Sequence, residues 1–85
     1  LEGHRGIVHS VEICPDNKTC VSGSDDGTIR VWDMTTGREL AKYVTRSSVR
    51  TIDVSPCGDC IAAGTHNGQI HIITPVHFTL RYSPL

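Results

Sequence analysis

Apolar and polar residues alternate in short runs along most of this chain, and turn-forming residues cut the runs every few positions. Val8–Ile13 places Val11 and Ile13 on one side at a period of two, the spacing of a half-buried strand. Pro15, Asp16, Asn17 and Lys18 follow as a turn, since proline presets φ and the Asp and Asn side chains bond their own backbone. Residues 19–22 read as a second strand. Ser24, Asp25, Asp26 and Gly27 then predict a tight turn, Asp-Gly being a leading hairpin signal. Thr28–Asp33 is a third strand, with Ile29 and Val31 toward one neighbour and Trp32 toward the other. Thr35, Thr36 and Gly37 turn the chain into a fourth strand at residues 38–43.

The second half repeats the scheme. Val49–Val54 reads as a strand, residues 55–59 as a turn, residues 60–63 as a strand, residues 66–68 as a turn and residues 69–74 as a strand. A last strand is expected at residues 77–82, where Phe78, Leu80 and Tyr82 alternate between Pro75 and Pro84. No segment carries helical periodicity, and strands this short and evenly spaced predict an all-β chain.

Shifted by 41 residues, the sequence aligns with itself without a gap. Val8 falls on Val49, Val11 on Ile52, Ile13 on Val54, Pro15 on Pro56, Gly23 on Gly64, Gly27 on Gly68, Ile29 on Ile70 and Val31 on Ile72. A fixed period with matching apolar and turn positions is what stacked supersecondary units produce. The first unit opens on Gly3-His4 and reaches Trp32-Asp33. With a Gly-His pair, a Trp-Asp pair and a length near 40–45 residues, it resembles a WD repeat, the building unit of a β-propeller blade.

The resemblance implies four-stranded antiparallel sheets, one blade with an intact signature at residues 1–43 and a degenerate blade at residues 44–85. It also implies a larger assembly. A propeller has about 4–8 blades around a channel, and a repeat array needs about three units to bury a continuous core. The chain is therefore expected to be two blades of a larger propeller and a piece of a longer protein. A small protein that builds a ring from several copies is the lesser alternative.

In WD-repeat proteins one blade often carries a chain of four hydrogen-bonded side chains. The matching positions here are His4, Ser22, Asp26 and Trp32. A buried indole N–H needs an acceptor. Ser22 can accept it and donate onward, and a neutral His4 can accept from Ser22 and give its other ring proton to Asp26. The same residue types suggest a Ser/His/Asp hydrolase, but that chemistry needs an exposed nucleophile and an oxyanion hole beside a pocket, whereas this serine is expected inside a blade under a tryptophan. The second repeat has Thr45, Ala63, Asn67 and Ile73 at those positions and Val44 in place of the glycine, so it keeps the apolar skeleton and loses the polar chain.

WD-repeat propellers usually bind partners through the narrower top face. The resemblance puts Ile7, His9 and Asp25 of the first repeat and Ser48, Arg50 and His66 of the second on that face. Arginine is enriched at interface hot spots, and an exposed isoleucine beside His and Asp suits a peptide contact.

Composition narrows the classes. The 85 residues carry a net charge of −1, so no overall field draws in nucleic acid or an anionic membrane, although Arg30, Arg46 and Arg50 are available to phosphate. Residues 1–41 hold four basic and seven acidic side chains against four and two in the remainder, a difference between blades rather than a charged tail. The longest apolar run falls far short of the ~20 residues that span a bilayer, and no signal peptide is visible. Cys14, Cys20, Cys57 and Cys60 are too sparse for a disulfide scaffold and are expected as reduced thiols of an intracellular, cytoplasmic or nuclear protein.

A four-thiolate zinc site is disfavoured, since only the Cys57/Cys60 half has recognisable spacing. His66, His71 and His77 fall on different elements, and Asp25-Asp26-Gly27 lacks the further oxygen ligands of a calcium loop. The expectation is a protein–protein interaction scaffold in a larger complex, with no cofactor, no metal and no enzymatic activity. The alternative is an accessory or sensor module of a larger regulatory or enzymatic protein.

Overall fold

The structure is a computed structural model that describes residues 2–74. Within these residues seven strands form two antiparallel sheets. The first has β1 (Val8–Ile13), β2 (Thr19–Ser24), β3 (Thr28–Asp33) and β4 (Glu39–Val44) in sequence order, and the second has β5 (Val49–Val54), β6 (Ile61–Thr65) and β7 (Ile70–Ile73). Among the described residues none is helical, so they hold no helix long and apolar enough to cross a membrane. The strand expected at residues 77–82 lies outside the described residues.

The turns close where the sequence places them. Asp16 accepts from the amides of Lys18 and Thr19, and Gly27, Gly37, Gly58 and Gly68 all take the positive φ that glycine adopts without strain. Three strands have the expected limits, and the other limits differ by one or two residues. β2 and β6 run on through Gly23-Ser24 and Gly64-Thr65, past a glycine of weak strand propensity, and pair across to Ser10/Val8 and Thr51/Val49. Cys60, expected to open a strand, instead gives its amide to Ser55 Oγ and completes the turn. Gln69 likewise closes the β6–β7 turn by exchanging hydrogen bonds with Thr65.

Both sheets carry the same irregularity. Val8 opposes Ser24 and Ser10 opposes Gly23, so His9 is an extra residue in β1; 41 residues later Val49 opposes Thr65 and Thr51 opposes Gly64, so Arg50 is the extra residue in β5. Such bulges bend a strand and re-aim a side chain.

The sheets pack on each other through β1, β2 and β5. Val21, Ile29 and Val31 of the first meet Val49, Ile52, Ile61 and Ala63 of the second in one apolar core, with Cys14, Ala41, Tyr43, Val54 and Ile73 at its margin. Gly23 lets the sheets approach: a Cβ there would collide with Val49 Cγ1 and lie 3.0 Å from Ile52 Cγ1. Ser10 Oγ accepts the Ile52 amide across the seam at 3.1 Å.

Repeat-equivalent residues have opposite surroundings. Ile29 and Val31 are 0% and 1% exposed under the second sheet, whereas their counterparts Ile70 and Ile72 are 76% and 63% exposed. Ile52 is 5% exposed, and its counterpart Val11, on the far face of the first sheet with Ile13, is 55% exposed. Each face that is covered in one sheet is thus bare in the other.

Candidate functional site

The β2–β3 turn sets out two polar systems side by side, one beneath the surface and one on it. The inner system hangs on consecutive requirements. Ser22, on β2, is 4% exposed, and Trp32, on β3, is 2% exposed. The Trp32 indole donates to Ser22 Oγ at 2.8 Å. That occupies the serine's acceptor side, so the Ser22 hydroxyl points its proton at His4 Nε2, 2.6 Å away. The other ring nitrogen, Nδ1, donates to Asp26 Oδ2 at 3.1 Å. His4 also stands edge-on to the indole, ring centroids 6.0 Å apart. Gly3 is where the chain must pass close: a Cβ would come within 2.9 Å of both the Arg30 guanidinium and the Trp32 ring.

Asp26 gathers more donors than the sequence discloses. Its carboxylate also accepts from the Thr28 hydroxyl at 2.6 Å, the Thr28 amide at 2.9 Å and the Arg5 amide at 2.9 Å, and Arg30 lies 3.7 Å away. Partial burial alone would push this carboxyl up. The donors from Thr28, Arg5 and His4 outweigh that and hold it far below the usual carboxylate range. Arg30 reaches onward to Thr28 Oγ1 and to Glu39 at 2.7 Å. Asp-x-Thr across a tight turn is the one local signal that marks Thr28 as a partner, since the hydroxyl two residues on reaches back to the carboxylate.

The outer system centres on Asp25 and crosses the seam between the sheets. Oδ1 lies 2.7 Å from His9 Nε2 and accepts from Ser48 Oγ at 2.5 Å; Arg50 Nε donates to Ser48 Oγ at 2.8 Å and lies 3.8 Å from the carboxylate. The hydrogen bonds from Ser48 and His9, aided by the charge of Arg50, lower the Asp25 carboxyl from its ordinary value. Four of the six expected surface residues are therefore joined through side chains. Ile7 and His66 join through the backbone only, Ile7 accepting the Asp25 amide and His66 donating to the Ser48 carbonyl, each at 2.8 Å. The Ile7 side chain is 65% exposed, and His66 is exposed. His9 and Arg50 are the bulge residues of β1 and β5, and both reach this cluster.

The second repeat spends its polar positions differently. Thr45, in the place of the histidine, donates to the Gly27 carbonyl at 2.9 Å and so ties the loop after β4 back to the β2–β3 turn. Ala63 is buried, Ile73 is partly buried against the core, and Asn67 accepts from Thr65 Oγ1 at 2.5 Å. The threonine-to-carbonyl contact is long-range, and no local pattern in the sequence announces it.

At the opposite end Cys14 and Cys57 line a small apolar cleft between the sheets with Pro15, Thr19, Val21, Val54 and Ile61. All four cysteines are free thiols, and burial pushes Cys14 and Cys20 up. Among the described residues no three His, Cys, Asp or Glu side chains converge as a metal-binding group. His71 lies 3.3 Å from Gln69 Oε1, and His77 is outside the described residues.

Comparison with known proteins agrees with this geometry. The family model described as "WD domain, G-beta repeat" matches residues 1–33 and 37–74. The chain is 38% identical over 63 residues to eukaryotic translation initiation factor 3 subunit I of Vanderwaltozyma polyspora, covering 74% of this chain and 18% of that protein. It is 37% identical to small ribosomal subunit protein RACK1y of Oryza sativa subsp. japonica, covering 79% and 20%, and 36% identical to ribosome biogenesis protein erb1 of Neurospora crassa, covering 91% and 10%. The chain thus spans a fifth or less of the length of each of these relatives. The solved structure of U3-55K superposes with a TM-score of 0.83 at 25% identity, covering 87% of this chain and 25% of that one. Two copies of one sheet-forming unit, a Gly-His to Trp-Asp signature and these matches together make this chain a member of the WD40 repeat family.

Proposed function

We propose that the two sheets are successive blades of a larger propeller that acts as a protein-interaction scaffold, and that partners bind at the end carrying the Asp25 cluster. The observation that supports this most is that cluster itself. Residues of both sheets converge on one carboxylate, which fixes Arg50, His9 and the Ile7 loop against each other and leaves Ile7, His66 and Arg50 open to solvent. A preorganised rim with an apolar residue and an arginine suits recognition, since little side-chain freedom is lost on binding. The names of the relatives place them in translation initiation, the ribosome and ribosome biogenesis, which supports an intracellular assembly role.

The inner chain from Trp32 to Asp26 is better suited to fastening than to catalysis. Ser22 is sealed by the indole and already committed to His4, so it offers no accessible nucleophile. The exposed faces bearing Val11 and Ile13 and bearing Ile70 and Ile72 are the positions further blades would cover, as the second sheet covers Ile29 and Val31.

Affinity capture with the full-length protein tests the scaffold role. Arg50→Ala and Ile7→Ala are expected to reduce recovery of a bound partner several-fold while melting as wild type. Unchanged recovery of every partner with both variants contradicts the reading.

A further inference from the structure

The two ends of the strand sandwich carry opposite charge, a polarity that the overall charge of −1 conceals. At the Asp25 end the exposed loops present Arg5, Arg46 and Arg50 with His9 and His66, against Asp25 alone, because Asp26 is turned inward on His4, Thr28 and Arg30. The turns at the other end present Asp16, Asp33 and Asp59 against Lys18 and Arg38. Arg5 and Arg46 stand 41 residues apart at equivalent positions of the two entering loops, and neither makes an ion pair among the described residues.

Arg46 is held in an unusual state. Its φ is +67°, a left-handed conformation that costs a residue with a Cβ free energy. Thr45 enforces it by donating to Gly27 O and Ser47 O while accepting the Ser47 amide. The fold itself is better served there by glycine or asparagine, so an arginine on a strained, exposed corner has its use in the charge it displays.

The partner chemistry follows from what surrounds these charges. Ile7, 65% exposed, is at the same end, where its carbonyl accepts the Asp25 amide. The described residues include Trp32 and Tyr43 as their only Phe, Tyr or Trp residues; the first is buried and the second packs at the core margin, so neither offers a base-stacking platform of the kind that single-stranded nucleic acid uses. We propose that this end of the blade pair docks an acidic polypeptide segment: carboxylates set against Arg5, Arg46 and Arg50, with an apolar side chain on Ile7. This rests on the scaffold reading above and names its partner class.

The test uses the full-length protein and a labelled, end-capped peptide of glutamates flanking one leucine. Fluorescence anisotropy is expected to show saturable binding that weakens with added salt, as contacts among exposed charges do. Arg46→Asn with Arg50→Gln is expected to weaken it roughly three- to tenfold, the scale of two exposed ion pairs. Arg46→Asn alone keeps the fold, since asparagine tolerates positive φ, and melting curves check this. Ile7→Ser is expected to weaken binding of this peptide but not of its leucine-to-serine analogue. A peptide with lysines for glutamates is expected not to bind. No saturable binding of the glutamate peptide, equal binding of the lysine peptide, or tighter binding of an oligouridylate probe overturns the proposal, the last in favour of nucleic acid. If a captured partner depends on Arg50 and Ile7 while the glutamate peptide neither binds nor competes, the scaffold reading stands and the acidic assignment falls.

Discussion

Asp26 is the residue through which most of the first blade's polar order passes. Its carboxylate accepts hydrogen bonds from His4, Thr28 and the Arg5 amide, and through His4 it orients Ser22 beneath Trp32. Removing one member leaves buried partners unsatisfied, so Ser22→Ala or Asp26→Ala is expected to cost about 1–3 kcal/mol in the denaturant unfolding of the full-length protein. The Asp26 carboxyl titrates lower in the fold than in the unfolded chain, so its contribution is complete above the unfolded value of about 3.9 and is lost as pH falls through the folded value. Asp26→Asn is accordingly expected to be less stable near neutrality and to lose less stability on acidification below about pH 4 than wild type; parallel pH titrations of the melting temperature show whether the two curves converge. At this scale the sequence was informative about identity and silent about context. The repeat signature singles out His4, Ser22, Asp26 and Trp32, but Thr45 makes its contact to Gly27, 18 residues away, and nothing in its local pattern marks it.

Strands were legible because alternation survives wherever one face is buried, as in Val49–Val54 and Thr28–Asp33. They were cut short at Gly23-Ser24 and Gly64-Thr65, where a glycine gives no side-chain signal that pairing continues. The repeated bulge was hidden for a related reason: an extra residue in a strand leaves the local composition unchanged, and only the partner strand reveals it. Yet the bulges decide the surface, since they turn His9 and Arg50 toward Asp25. Gly23 is the element-scale counterpart of Asp26. Its missing Cβ is the space that Val49 and Ile52 fill, so Gly23→Ala is expected to destabilise by about 1–3 kcal/mol through overpacking of the seam. In Gly64→Ala the added Cβ meets only the Thr51 hydroxyl, at 2.8 Å, a single side-chain atom that can rotate away. Equal losses for the two variants in thermal melts would show that the seam is looser than these contacts imply.

Across the whole molecule, translation by one repeat exchanges covered and bare faces. Ile70 and Ile72 occupy the places of Ile29 and Val31, and Val11 and Ile13 occupy those of Ile52 and Val54, with apolar side chains kept at positions open to solvent. If further blades cover them in the full-length protein, Ile72→Asp places a charge in a seam and is expected to lower stability by about 3 kcal/mol or more, whereas on a solvated face the change stays within about 0.5 kcal/mol. The 41-residue period made this stacking legible from sequence; which end of the stack meets a partner was carried there by resemblance alone, because the convergence on Asp25 joins loops more than forty residues apart. On the proposed function, this end and not the opposite turns receives the partner. Hydrogen–deuterium exchange of the full-length protein with and without a captured partner tests it most directly. Binding is expected to slow exchange in residues 5–10, 25–27, 46–50 and 66–68, while protection confined to residues 15–18, 34–37 and 56–59 would contradict the account.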